Sequence, residues 1–138
     1  MTDAHLPTRR DVARAFREIE ASTGLVMRDD FMCCSSCAGD RLDREAAEAD
    51  RPPRYAFWHA QDTETAAATG VLYIGYAGMD DADTTAVGHV LVAALTGRGY
   101  FVRWDGSPDT RLAVAVCGVS FDRDVDADAE VFPAVGDA

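Results

Sequence analysis

The sequence predicts an α+β domain in which helices pack on a small, mostly antiparallel sheet. Three observations favour this class: amphipathic helical stripes, short aromatic or β-branched runs between turn residues, and a length of 138 residues, which suits one core. Apolar residues make up 48% of the chain and charged residues 27%, which is typical of a folded globular protein. We therefore expect a single domain over residues 1–121 and an acidic C-terminal tail over residues 122–138.

Helices are predicted where apolar residues recur every three or four positions. The first covers residues 8–22, with Thr8 as its N-cap and Gly24 ending its last turn. Residues 41–50 are rich in Ala and Glu but have a thin apolar face, which favours a surface helix. A clean apolar stripe predicts a longer helix over residues 84–98.

Strands are predicted where aromatic and β-branched residues cluster between turn signals. Between the first two strands, residues 62–69 favour a short helix with Asp62 as its N-cap. An Asp-Gly-Ser-Pro-Asp sequence predicts the turn between the last two strands. The predicted strands cover residues 55–59, 71–76, 100–104 and 112–119.

The charge balance excludes some classes of partner. All 13 basic residues are Arg, and the 24 acidic residues give a net charge of −11. Because binding to phosphates requires a cationic surface, we expect no nucleic-acid partner. We also expect no membrane span, and the N-terminus lacks the apolar stretch of a secretory signal, which predicts a cytoplasmic protein. The classes left open are a small molecule, another protein and a second copy of the chain.

Three of the four cysteines, Cys33, Cys34 and Cys37, lie within five residues of one another. In a cytoplasmic protein such crowding indicates metal ligation or redox chemistry rather than structural disulfides. Cys34 and Cys37 form a C-x-x-C, a spacing that lets two thiolates bind one tetrahedral ion. The surrounding Ser and Gly residues predict a knuckle loop over residues 31–40.

One C-x-x-C supplies half of a tetrahedral metal site. The remaining ligands must come from Cys33, an acidic residue, Cys117 or His59. His59 is the best of these candidates because it ends an aromatic strand, where its ring would be held beside the knuckle. Thiolates combined with an imidazole favour Zn(II). The sequence therefore predicts a zinc-type site built from Cys33, Cys34, Cys37 and His59.

Polar residues that follow His59 supply candidate chemistry for that site. Asp62 and Glu64 are the candidate catalytic residues, with Glu64 as the proton shuttle in a metal-assisted hydrolysis or deamination. Gln61 is a candidate to hydrogen-bond the ligands and orient them. The deaminase signature is not met, because Gln61 stands where that signature has Glu. A structural site is favoured over a catalytic one, and the sequence leaves open whether the protein is an enzyme.

Two other functions stay open at this point. A thiol-redox protein could use Cys34 and Cys37, but thioredoxin-like chemistry requires the motif between a strand and a long helix in a βαβ unit. Ser35 and Ser36, followed by a weak helix, fit that context poorly. The second alternative is a metal-free acidic module that binds or regulates a cationic partner.

The chain contains Cys-Cys-x-x-Cys at residues 33–37, His-x-Gln-Asp-Thr-Glu at 59–64 and Trp-Asp-Gly at 104–106. These three segments together resemble a family of bacterial domains of unknown function. The resemblance covers residues 12–119 and implies that the cysteines and the polar residues around His59 form one constellation, without implying an activity. Ala38 departs from the family pattern, which has Gly directly after the third cysteine.

Overall fold

A computed structural model describes residues 6–122 of the chain. The acidic tail predicted over residues 122–138 lies outside this range, apart from Asp122. Helices and strands alternate along most of the chain, and none of the described helices is long and apolar enough to cross a membrane. The elements are α1 (Arg9–Thr23), β1 (Val26–Arg28), α2 (Ser35–Glu48), β2 (Tyr55–Phe57), α3 (Ala60–Thr69), β3 (Val71–Ala77), α4 (Asp81–Thr96), β4 (Val102–Arg103), β5 (Leu112–Ala115) and a final 3-10 turn (Gly118–Asp122).

The five strands form one sheet in the order β1-β2-β3-β5-β4. Strands β1 and β2 are parallel, and every other neighbouring pair is antiparallel. Helices packed on a mostly antiparallel sheet confirm the predicted α+β class. The parallel pair and the helix that connects it form a β1–α2–β2 unit, because a parallel connection needs a crossover of this kind.

The signals at the ends of α1 are confirmed. The Thr8 hydroxyl accepts a hydrogen bond from the backbone N–H of Asp11 at 3.1 Å, and the Asp11 carboxylate accepts one from the backbone N–H of Thr8 at 3.0 Å. This reciprocal capping box satisfies two N–H groups that the helix leaves unpaired. Gly24 ends the helix with a φ of 80°, in the left-handed region that glycine adopts without strain.

The main core lies between one face of the sheet and helices α1, α3 and α4. Leu72 and Ile74 of β3 are completely buried, as are Leu91 and Leu95 of α4. Trp58, directly after β2, is also completely buried and packs edge-on against Phe16 of α1 with ring centroids 5.0 Å apart. The connection between β2 and α3 is therefore anchored in the main core.

The turn between β4 and β5 is stabilised by hydrogen bonds among its own side chains and backbone. Asp105 Oδ1 accepts hydrogen bonds from the backbone N–H of Ser107 at 2.9 Å and from the hydroxyl of Thr110 at 2.5 Å. The indole N–H of Trp104 donates to the hydroxyl oxygen of Tyr76 at 2.7 Å. This turn, found where the sequence predicts one, positions Arg111 directly before β5.

Helix α2 begins earlier than the sequence predicts. The knuckle loop expected over residues 31–40 ends at Cys34, which is the N-cap, and Cys37 lies in the first helical turn. Ala38 and Leu42 are buried in a second, smaller cluster with the aromatic residues of β2. Packing makes this segment helical, because Ser and Gly are weak helix formers on their own.

We expect Leu42→Ala to lower the free energy of unfolding by about 2–4 kcal/mol, because truncating a buried leucine removes apolar contacts and leaves a cavity. The matched control is Arg44→Ala, an exposed position of the same helix, which should change it by less than about 0.5 kcal/mol. Urea unfolding monitored by circular dichroism measures both values. Equal losses in the two variants would contradict the packing of α2 on β2.

Candidate functional site

Three thiols converge at the N-terminus of α2. Cys33 precedes the helix, Cys34 caps it and Cys37 lies in its first turn. The Cys33 Sγ lies 3.8 Å from the Cys34 Sγ and 3.5 Å from the Cys37 Sγ, and all three sulfurs lie within 4.8 Å of one another. All three are free thiols; Cys33 is exposed, and the other two are half-buried. The structure therefore brings three of the four predicted metal ligands together.

The pKa values of Cys34 and Cys37 are shifted in opposite directions. The backbone N–H of Cys37, followed by the neighbouring thiols and the N–H of Ser36, lowers the pKa of Cys34 because these groups favour a negative sulfur. Hydrogen bonds with the sulfurs of Cys33 and Cys34 raise the pKa of Cys37 to about 11. Closely spaced thiols resist losing their protons together unless a cation shares the charge.

The loop before the cluster is attached to the end of β2 on both sides of His59. The backbone N–H of Phe31 donates to the carbonyl oxygen of Trp58 at 2.8 Å, and the N–H of Ala60 donates to the carbonyl oxygen of Met32 at 2.9 Å. Met32 has a φ of 67°, a left-handed conformation that costs free energy in a residue other than glycine. These hydrogen bonds stabilise that conformation and fix the position of the Cys33 backbone.

Asp30 ties the same loop to two helices. Its Oδ2 accepts a hydrogen bond from the buried Arg9 guanidinium of α1 at 3.1 Å, and its Oδ1 accepts one from the hydroxyl of Thr63 in α3 at 2.6 Å. The Thr63 hydroxyl oxygen in turn accepts the indole N–H of Trp58 at 3.1 Å. The position of the thiol cluster is thus coupled to the main core.

His59 and Asp62 cap α3, and their arrangement corrects the predicted cap. His59, rather than Asp62, is the N-cap: its Nδ1 accepts the backbone N–H of Asp62 at 3.3 Å, while Asp62 Oδ2 accepts the backbone N–H of His59 at 3.0 Å. His59 Nε2 lies 3.2 Å from Asp62 Oδ2, and both side chains are buried. Burial lowers the pKa of His59, although the Asp62 carboxylate opposes that shift.

The structure does not place the His59 side chain in the thiol cluster of Cys33, Cys34 and Cys37. Within residues 6–122 the sulfur cluster contains Cys33, Cys34 and Cys37 alone among His, Cys, Asp and Glu side chains. Ligation by His59 stays a prediction, which the variants proposed below test. Gln61 and Glu64 lie exposed on α3, outside that cluster.

Arg111 is a site residue that the sequence did not indicate. Its guanidinium forms a two-point ion pair with Asp62, at 2.9 Å to Oδ1 and 2.5 Å to Oδ2, and also donates to the carbonyl oxygen of Tyr73 at 3.0 Å. Both carboxylate oxygens of Asp62 are therefore occupied by a cation, which makes Asp62 a structural anchor for His59 and Arg111. The two residues are 49 positions apart, and no local pattern links them.

A cleft of about 260 Å³ lies between α2, the sheet and the turn before β5. Ser35 and Gly39 of α2 form one wall, and Arg111 contributes to the opposite wall. The rings of Tyr55 and Phe57 line the cleft between these walls. The cleft thus begins at the helical turn that carries the thiols and extends to the Arg111–Asp62 ion pair.

The fold and the site together define an α+β domain with a three-cysteine centre at the start of a helix. The chain belongs to the family described as Domain of unknown function (DUF6891), whose model matches residues 7–117. No curated protein and no solved structure matches it. The matched range includes every residue of the thiol cluster and of the His59–Asp62–Arg111 group.

The buried His59 should make stability depend on pH. Its pKa is lowered below the ordinary value of 6.5, so the unfolded chain binds a proton that the folded protein resists, and stability should fall as the pH falls through and below about 6.5. His59→Asn keeps a side-chain oxygen that can cap α3 but removes the titrating ring, so it should flatten this decline. Urea unfolding at a series of pH values measures the effect.

His89→Gln is the matched control for this prediction, because it removes an exposed histidine on α4. It should leave the decline below about pH 6.5 in place. A decline that persists unchanged in His59→Asn would show that another group is responsible.

Proposed function

We propose that this domain binds one zinc-type metal ion through the thiolates of Cys33, Cys34 and Cys37. The observation that carries the proposal is the spacing of the sulfurs, 3.5 and 3.8 Å for the two pairs that include Cys33. In a tetrahedral site with Zn–S bonds of about 2.3 Å, the sulfurs lie about 3.8 Å apart. A disulfide would need an S–S distance of about 2.05 Å, so these thiols are reduced, and their spacing supports the binding of one ion.

The donor set limits which ion fits. Three thiolates favour soft or borderline ions such as Zn(II) and Cu(I) over Mg²⁺ or Ca²⁺, which prefer oxygen ligands. An iron–sulfur cluster is a poorer fit, because its cysteines bind different iron atoms and so lie farther apart than the ligands of one ion. The sulfur spacing supports a site with a single ion.

The fourth coordination position is proposed to hold water or another exchangeable ligand. No His, Cys, Asp or Glu within residues 6–122 joins the three sulfurs, and both ring nitrogens of His59 face atoms of Asp62. Catalytic zinc sites keep such a position open, whereas structural sites fill all four positions with protein ligands. The exposure of Cys33 supports access to this position from solvent.

Elemental analysis of tag-free protein purified without chelator should find close to one zinc per chain. Cys33→Ser, Cys34→Ser and Cys37→Ser should each lose most of the metal, because a serine hydroxyl is a poor zinc ligand. Cys117→Ser is the matched control: Cys117 lies between β5 and the final 3-10 turn, outside the sulfur cluster, and its loss should leave the stoichiometry unchanged.

Cobalt substitution tests the composition of the site in the same variants. Sulfur-to-cobalt charge-transfer absorption should be strong in the unaltered protein and weaken with each cysteine removed, because the band reports thiolate ligands. His59→Asn should retain both the metal and the spectrum, and a changed spectrum would instead make His59 the fourth ligand. Protein that contains no metal and has three reactive thiols would refute the proposal.

A further inference from the structure

We propose that the metal-free domain also carries out thiol–disulfide exchange, with Cys34 as the attacking thiol and Cys37 as the resolving thiol. The inference does not depend on metal binding, because it concerns the same cysteines when no ion holds them. It rests on where the backbone places the C-x-x-C and on the distances between the sulfurs.

The β1–α2–β2 unit supplies the structural context that a dithiol exchange motif requires. The sequence disfavours this chemistry because Ser35 and Ser36, followed by a weak helix, fit that context poorly. The structure instead has a 14-residue helix that begins directly after Cys34, between two parallel strands. The motif therefore lies at the N-terminus of a helix between paired strands, as the chemistry demands.

The position of Cys34 distinguishes it from Cys33. Cys34 is the N-cap of α2 with extended backbone, at a φ of −158°, so its side chain lies at the helix terminus, beside the backbone N–H groups that the helix itself leaves unpaired. Cys33 lies outside the helix and lacks this environment. Cys37 lies one turn along the helix, with its sulfur within 4.8 Å of that of Cys34, so a small side-chain movement closes a disulfide.

The exchange balances as a transfer of two electrons to a disulfide of a second molecule. The Cys34 thiolate attacks one sulfur of that disulfide, a Cys34–sulfur bond forms as the substrate S–S bond breaks, and the first substrate thiolate leaves and takes up a proton. Cys37 gives its proton to solvent and attacks the Cys34 sulfur, which forms the Cys34–Cys37 disulfide and releases the second substrate thiol. A dithiol reductant restores the protein by the reverse exchange.

The cleft gives the polypeptide around a substrate disulfide a place to lie next to the first turn of α2, although its lining contains none of the three cysteines. Ser35, the residue after Cys34, lines it, and the rings of Tyr55 and Phe57 make this part of its lining apolar. An apolar lining fits the side chains that flank a cysteine in a polypeptide better than it fits a small hydrophilic disulfide. We therefore assign a polypeptide disulfide as the substrate class.

The test is the reduction of insulin disulfides by dithiothreitol, catalysed by protein freed of metal with a chelator. Cys34→Ser should lower the rate above background by at least about tenfold, because no other thiol has its position at the helix terminus. Cys37→Ser should accumulate a mixed disulfide at Cys34, detected by mass spectrometry of the intact protein and of its peptides. Cys117→Ser should stay within about threefold of the unaltered protein, because Cys117 lies outside the sulfur cluster.

Three outcomes would overturn the inference: no catalysis by the metal-free protein, an active Cys34→Ser variant, or a mixed disulfide located at Cys33. Elemental analysis of the same preparation before chelation separates this result from the metal proposal. Zinc bound at one per chain without exchange after its removal refutes the inference alone. Exchange by protein that never contains metal refutes the metal proposal alone.

Gly39→Leu tests the use of the cleft. A Cβ at this helical position would lie 3.7 Å from the Tyr55 hydroxyl, an ordinary contact, so the backbone tolerates the change while the longer side chain fills the cleft. The rate of insulin reduction should fall at least about tenfold, whereas the rate with glutathione disulfide should change by less than about threefold. Equal rates of insulin reduction with and without the leucine would overturn the assignment of a polypeptide substrate.

Discussion

The packing of α2 on the aromatic residues of β2 determines where the thiols lie. Phe57 can lie across β3 because residue 75 is glycine: a Cβ there would come within 2.9 Å of the Phe57 ring. With Tyr55, this ring forms the surface that buries Ala38 and Leu42. The Tyr55 hydroxyl also donates to Asp43 of α2 at 3.1 Å. Because the apolar residues begin in the first turn of the helix, the same contacts that stabilise α2 hold its N-terminus, and therefore Cys34 and Cys37, against the sheet.

The third thiol is positioned by a separate constraint. Cys33 follows a loop whose backbone pairs with residues on either side of His59 and whose Asp30 is held by α1 and α3. Two left-handed residues, Asp30 and Met32, make this path costly for an isolated loop. The tertiary hydrogen bonds offset that cost and bring Cys33 back over the helix terminus. The three sulfurs converge because the helix packed on β2 and the hydrogen-bonded loop before it meet at Cys33. Such preorganisation lets an ion bind, or an exchange reaction proceed, with little further ordering of the chain.

The sequence predicts the parts of this arrangement that depend on local signals. The capping box at Thr8, the stop at Gly24 and the apolar stripe of α4 each act within a few residues, and each lies where it was expected. The start of α2 is not predicted by local signals, because Ser35, Ser36 and Gly39 have low helix propensity. The helix forms there because Ala38 and Leu42 pack on β2. The His59 cap and the Arg111–Asp62 pair depend on burial and on contacts across 49 positions, for which one sequence contains no pattern. The cysteine spacing indicates that the thiols act together, whereas only the fold shows that His59 serves another contact.

The two activities proposed for the cluster exclude each other chemically. An ion requires all three sulfurs as reduced thiolates, whereas the exchange intermediate and the Cys34–Cys37 disulfide each remove sulfurs from the ligand set. Zinc has no redox chemistry of its own, so a bound ion holds the cysteines as reduced thiolates. An ion that binds only the reduced state stabilises that state by RT ln(1 + [L]/Kd), where [L] is the concentration of free ion. Formation of the Cys34–Cys37 disulfide is less favourable by the same free energy. The relation is reciprocal, so oxidation of Cys34 and Cys37 must weaken metal binding by the factor by which the ion opposes oxidation. Under the two proposals, the concentration of free ion and the supply of disulfides set this equilibrium and so determine which of the two reactions is favoured.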